Sequence, residues 1–342
     1  MPLTQLDYLR TKSSVDCDTL DASVAAELGP FVDCTSNQAI AAAELLHTKH
    51  ATLIASSASL AASLAPQYPD TTPASLTVEL LMISLSLLIA PHISGRLHTQ
   101  TNPHHSFSTP KTIANAHRIV ALYAHLDPRI TRERVCVKIP ATWEGLQACR
   151  VLEAEGIATL ATTLFTLEQA VLAAEVGCSY IAPYVNRLAV HFTPGLVDEM
   201  PGFGVCVAAQ RYFRKWGYRT QCLPASLVST AEVLRLAGAD HITVAPPLLR
   251  GLAAAVWEEG SGVVSDFEAA EAEGLEIEKI VLDEEGFRMG VNRSRGGVDA
   301  GKLVEAINIF SEMQEKLEAI AAEALAKLDR DRTANSRGEI TG

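Results

Sequence analysis

Residues 135–147 read VCVKIPATWEGLQ: an apolar run holding one lysine, then a proline, a short polar turn and the start of a helix. The run has the length and β-branched content of a buried strand, and Thr142 stands where it can cap the helix that follows. Lys138 is the anomaly, because lysine is almost never fully buried unless it is paired or uncharged. One reading is a strand-end lysine whose head reaches water. The other depends on what surrounds the strand.

Short apolar runs of the same kind recur along the chain, at 15–19, 31–35, 92–98, 135–139, 158–163, 179–184, 220–226 and 242–246. Helical patterns separate most of them. Thr166 and Gln169 form a capping box before a helix stopped by Gly177, and Ser229 with Glu232 repeats the signal before Gly238. Pro110 opens another helix, and a final amphipathic helix follows Asp299. Eight strands alternating with helices predict a (β/α)8 TIM barrel, an α/β fold, with additional N- and C-terminal helices. No GxGxxG or GxxxxGK[ST] turn is present, which argues against a nucleotide-binding sheet. Residues 1–328 are expected to form one domain, and the charged residues 329–342 a frayed tail.

In a barrel, alternate strand residues face inward and chemistry gathers at the C-terminal strand ends. Lys138 stands near such an end. An ammonium in an apolar interior is desolvated, which favours the free amine, and a free amine can attack a carbonyl to form a Schiff base.

Composition narrows the partners. The formal net charge is −12, with 48% hydrophobic residues. That balance argues against nucleic acid or an anionic membrane as the main partner. Seven cysteines, at 17, 34, 136, 149, 178, 206 and 222, show no ligand spacing. They read as reduced core cysteines in a cytoplasmic protein, with neither a disulfide framework nor a zinc site. The N-terminal MPLTQLDYLRTKSS has no hydrophobic region of the signal-peptide kind. The apolar stretch at 76–90 is short for a bilayer and contains Glu79, so a buried helix is expected.

The stretch VCVKIPATWEGLQACRVLEAEGI, followed by ATTLFTLEQAVLAAEVG and YIAPYVNRL, resembles the transaldolase family. DCTSN at 33–37, PASLVSTAEVLRLAGADHITVAPPLL and the final helix extend the likeness over nearly the whole chain. The resemblance implies a Schiff-base enzyme that transfers a dihydroxyacetone unit between a ketose and an aldose. The family default is the sedoheptulose 7-phosphate and glyceraldehyde 3-phosphate exchange of the pentose phosphate pathway. It implies a small sugar or sugar-phosphate substrate and a protein that is commonly a homodimer. It implies no cofactor or metal, since the lysine itself is the electron sink.

Position by position, Lys138 falls on the Schiff-base lysine and Asp18 on the general acid/base, with Asp16 as the alternative. Asn37 falls on a residue that binds substrate hydroxyls, and Thr162 on the threonine that positions the catalytic water. Arg187 and Ser226 fall on phosphate-binding residues. Four departures stand out: Arg96 at the strand-three glutamate, Leu160 at the strand-five asparagine, Ala182 at a serine, and Val228 at the second phosphate-binding arginine. An inward Arg96 near Lys138 cannot shuttle protons, because guanidinium stays protonated. His98, on the same face, and Tyr184 are the candidates to do so; for His98 a loop-edge residue without a role is the other reading. His104 and His105 have no partner at ligand spacing. Leu160, Ala182 and Val228 predict a more apolar pocket. A divergent aldolase acting on an unphosphorylated carbonyl, and an inactive paralogue with a binding role, are the alternatives.

Overall fold

The computed structural model describes residues 2–258, 264–273 and 277–340. Eight parallel strands run β1 Ser14–Asp18, β2 Cys34–Thr35, β3 Leu97–Gln100, β4 Val135–Pro140, β5 Ala158–Leu164, β6 Tyr180–Pro183, β7 Gln221–Cys222 and β8 His241–Val244. From β1 to β7 each strand pairs with the next, and β1 pairs with β8, so the sheet order is β7-β6-β5-β4-β3-β2-β1-β8. The seam between β7 and β8 is drawn together where the Thr243 N–H donates to the Pro224 carbonyl, at 3.3 Å. This is the expected barrel, wrapped by helices that follow most of the strands.

The strands β4 and β5 are buried at every residue, as parallel strands covered on both faces must be. The helix caps act as the sequence predicts. Thr142 accepts from the Gly145 N–H, Thr166 and Gln169 make a reciprocal box, and Ser229 accepts from Glu232. Gly156, Gly177 and Gly238 all take positive φ at helix ends, where a side chain would strain the backbone. All seven cysteines are buried and unpaired.

Strand three departs from expectation. The run 92–98 was expected to be a strand, but residues 90–92 form a 3-10 turn and the strand begins at Leu97. Pro91 ends the preceding helix, and Gly95 packs under Asp33 and Val32, where a Cβ would collide. The pairing of β3 is therefore set later in the chain than the apolar pattern implied.

The last helix spans Val298–Ile340, so most of residues 329–342, read from composition as a tail, continue that helix. Its N-terminal half lies beside the loop after β6, where Lys302 donates to Asp198 and to the Met200 carbonyl at 2.6 Å each.

The helical span Pro73–His92 is the one among the described residues long and apolar enough to cross a bilayer, yet 61% of its apolar window is buried inside the fold. Its Glu79 accepts two hydrogen bonds from Arg118, at 2.7 and 2.8 Å, and one from Asn115. Burial pushes the Glu79 carboxyl up, opposed by the Arg118 contacts. Arg118→Met strands that carboxylate and is expected to lower unfolding free energy by about 3 kcal/mol or more, while a Glu79→Leu, Arg118→Met pair is expected to recover most of it. Urea unfolding of the two variants measures the difference; equal losses would show that the pair is not interdependent.

Candidate active site

A cavity of about 540 Å³ opens at the C-terminal end of the barrel, with Asp18, Asn37, Lys138, Tyr184 and Ser226 in its wall. Lys138 is 2% exposed, and neither an ion pair nor a hydrogen bond is found for its ammonium among the described residues. Its Nζ lies 6.0 Å from the centre of the Tyr184 ring. The Tyr184 hydroxyl in turn meets Thr162 Oγ1 at 3.3 Å.

Thr162 owes its position to a bulge. The β5–β6 register slips between Ala161 and Leu164, and Thr163 adopts φ of 51°, a costly conformation for a β-branched residue. The Thr163 hydroxyl donates to the Thr162 carbonyl, and so does the Ala141 N–H. Ser226, in the cavity wall, is also at positive φ, 59°. Strain of this kind persists only where the surroundings enforce it, and here one of the two residues, Ser226, lines the lysine's cavity.

On the opposite wall, Asp18 accepts from Thr35 at 2.7 Å, and Thr35 in turn meets Thr243 at 2.6 Å. Asn37 has two duties. Its Oδ1 caps the helix Gln38–Leu45 by accepting from Ile40, which leaves its amide nitrogen for the cavity. His191 bonds Ser226 at 2.9 Å, and burial lowers its pKa, so this histidine brings little positive charge at neutral pH.

Asp16, Arg96 and His98 are elsewhere. Arg96 immediately precedes β3 and lies at the N-terminal end of the barrel, donating to the Tyr180 hydroxyl at 2.8 Å and the Glu133 carbonyl at 3.1 Å. The strand-three register explains the misplacement: Gln100, not Arg96, pairs across from Lys138. Arg96 is therefore not a substrate-binding residue of this cavity, and no cation from strand three faces the lysine. Gln100 is 2% exposed, and both its amide atoms lack a protein partner. Parity could have found it, since Gln100 shares the inward face of His98 and lies two residues nearer the mouth.

His98 does face inward but is completely buried, with Nε2 on Asp33 at 2.9 Å, and it does not line the cavity. Asp16 is likewise fully buried, bonded to His241 at 2.9 Å and to the Asp33 N–H at 2.8 Å. Of the two candidate aspartates, Asp18 is the one at the cavity. Together these groups make a polar floor beneath the cavity. Against desolvation, hydrogen bonding to His98 holds Asp33 down at about 2. Against desolvation too, the Asp16 hydrogen bond and the charges of Asp16 and Asp33 raise His241 above its ordinary value. Asp16, Asp33 and His241 are the one group of donors among the described residues spaced to hold a metal, within 4.8 Å of one another. Asp16 already holds His241 and the Asp33 N–H, so the set reads as an ion-pair floor.

Arg187 does not line the cavity either. Its guanidinium turns to Glu305 of the last helix, with Nε at 3.2 and 3.3 Å from the two carboxylate oxygens and Nη2 closing the fork. Val228, half exposed, supplies no second charge.

A barrel whose C-terminal cavity is lined by a buried lysine from β4 and an aspartate from β1 has the architecture of an enzyme of aldol chemistry. The family model described as "Transaldolase/Fructose-6-phosphate aldolase" matches residues 15–320. The chain belongs to that family. It is 32% identical over 340 residues to a transaldolase of Gloeobacter violaceus, covering 98% of this chain and 85% of that one. It is also 32% identical over 336 residues to a transaldolase of Acidobacterium capsulatum, covering 97% and 98%.

Two outcomes test this division of labour. Arg96→Met is expected to leave ketose-dependent activity unchanged while lowering the thermal midpoint by several degrees; a large loss of activity in a stable variant would return Arg96 to the site. His241 has a raised folded pKa, so its stabilisation is complete below the unfolded value of about 6.5 and is lost as pH rises through the folded one. The stability gap between wild type and His241→Gln should therefore narrow as pH rises above about 6.5 in urea titrations; a constant gap would rule out the charged imidazole.

Proposed function

We propose that this chain is a transaldolase-type enzyme, transferring a dihydroxyacetone unit from a ketose to an aldose through a Schiff base on Lys138. The observation that carries the reading is the unpartnered Lys138 itself. A buried ammonium with no counter-charge is a net cost to the fold, and a cavity wall is where such a cost serves chemistry. Sugar-phosphate exchange, with sedoheptulose 7-phosphate and glyceraldehyde 3-phosphate as the default pair, follows from the family and its named relatives.

The Lys138 amine attacks the ketose C2 carbonyl to give a carbinolamine, which loses water to become an iminium. Gln100 beside the lysine can hold a hydroxyl or water by hydrogen bonds, but an amide cannot carry the proton. Tyr184, linked to Thr162, is the group beside the lysine suited to relay it. Asp18 takes the proton from the C4 hydroxyl as the C3–C4 bond breaks. The aldehyde departs and the electron pair is held as an enamine on Lys138. Addition to an acceptor aldehyde and hydrolysis complete the transfer. Asn37 contributes an amide donor for a substrate hydroxyl. The buried, unpaired cysteines support a reducing compartment, the cytoplasm.

A second reading, an aldolase for unphosphorylated carbonyl compounds, is favoured by the engagement of Arg187 with Glu305 and by the uncharged Val228. An inactive paralogue would have no reason to keep a buried, uncompensated lysine.

Borohydride trapping with intact-mass detection tests the reading. Fructose 6-phosphate, fructose or dihydroxyacetone should each be offered to wild type and to Lys138→Ala. A reduced adduct in wild type that is missing from the variant is expected. No adduct from any donor would sink the Schiff-base reading, and an adduct from the unphosphorylated compounds alone would favour the second reading.

A further inference from the structure

At the rim of the cavity the chain has built an anion receptor and filled it with a carboxylate of its own. The segment after β6 carries Leu188, His191 and Phe192 into the cavity wall, and Arg187 stands at its head. Glu305 reaches this segment from the last helix. It receives the Arg187 guanidinium on both oxygens and, on Oε1, the Ala189 backbone N–H at 3.2 Å. A planar guanidinium fork and a turn N–H converging on one group make the donor set that suits a tetrahedral oxyanion as well as a carboxylate.

The arrangement is held from several directions. Asp198 accepts from the Arg187 N–H at 2.7 Å and from Lys302 at 2.6 Å, three residues before Glu305 on the same helix. Five residues beyond Glu305, Phe310 is fully buried and lines the cavity. The helix is thus seated on the rim on both sides of Glu305. Arg187 is 40% exposed and Glu305 21%, so solvent and solutes reach the pair.

We propose that Glu305 is a specificity-determining residue: it acts as an internal competitor that occupies the anion subsite of Arg187 and the Ala189 N–H, and so disfavours substrates with a phosphate at the end remote from the carbonyl. A phosphorylated ketose must displace Glu305, whereas an uncharged one leaves the pair intact. The choice of substrate class rests on reading the cavity as the sugar site; the competition for the anion subsite does not.

The test uses the full chain and inorganic phosphate as probe, titrated by calorimetry into wild type, Glu305→Gln, Glu305→Ala and the Glu305→Gln, Arg187→Gln pair, with thermal unfolding of each variant as the check on folding. Loss of the competing carboxylate is expected to tighten phosphate binding by about tenfold in either single variant, and loss of Arg187 to abolish the gain. Phosphate binding no tighter than wild type in both folded single variants, or a gain that survives without Arg187, overturns the proposal. Borohydride trapping adds the substrate arm: the ratio of fructose 6-phosphate to fructose adduct should rise in both single variants, and an unchanged ratio overturns the specificity role. Absence of adducts throughout, with the phosphate gain intact, would overturn the sugar-site reading alone and uphold the competitor.

Discussion

The structure turns on one uncompensated charge-bearing group. Lys138 is held inside a barrel whose β4 and β5 are buried at every position, and among the described residues no carboxylate forms an ion pair with it. Around it stand the Tyr184 ring, 6.0 Å from Nζ, and its register partners on the flanking strands, Gln100 with two unsatisfied amide atoms and the apolar Leu160. Such a group is stable enough to be kept only because the rest of the barrel is over-determined around it. The bulge at Thr163 and the left-handed Ser226 are further costs of the same site, and the close packing of the barrel carries them too.

Charge is segregated along the barrel axis. At the N-terminal end, Asp16 is hydrogen-bonded to His241 and the Asp33 N–H, Asp33 to His98, and Arg96 to Tyr180. At the C-terminal end the inward residues lie round a cavity with polar groups left over. Paired charges below and unpaired groups above give a rigid base and a reactive mouth, and the separation keeps the Asp16 carboxylate away from the lysine.

Much of this was legible in the sequence. Eight alternating runs gave the barrel, the caps fell at the expected residues, and Lys138, Asp18, Asn37, Tyr184 and Ser226 meet at one cavity. Strand three was misread because ISGRLH looks like an apolar strand, while Pro91 and the Gly95 contact with Asp33 delay its start to Leu97. That shift exchanged Arg96 for Gln100. The fate of Arg187 was beyond any local pattern, because its partner lies 118 residues away on a helix whose docking depends on the finished fold.

The seven cysteines have a practical consequence. All are buried, and desolvation pushes the thiols of Cys136, Cys178 and Cys222 well up and that of Cys206 to about 12. The thiolate is the species that reacts with oxidants and alkylating reagents, and these four scarcely form it near neutral pH. The folded protein is consequently a quiet background for sulfur chemistry. One cysteine placed on its surface would be the thiol a maleimide finds first, which makes the native chain a ready scaffold for site-directed labelling without stripping out its own sulfur.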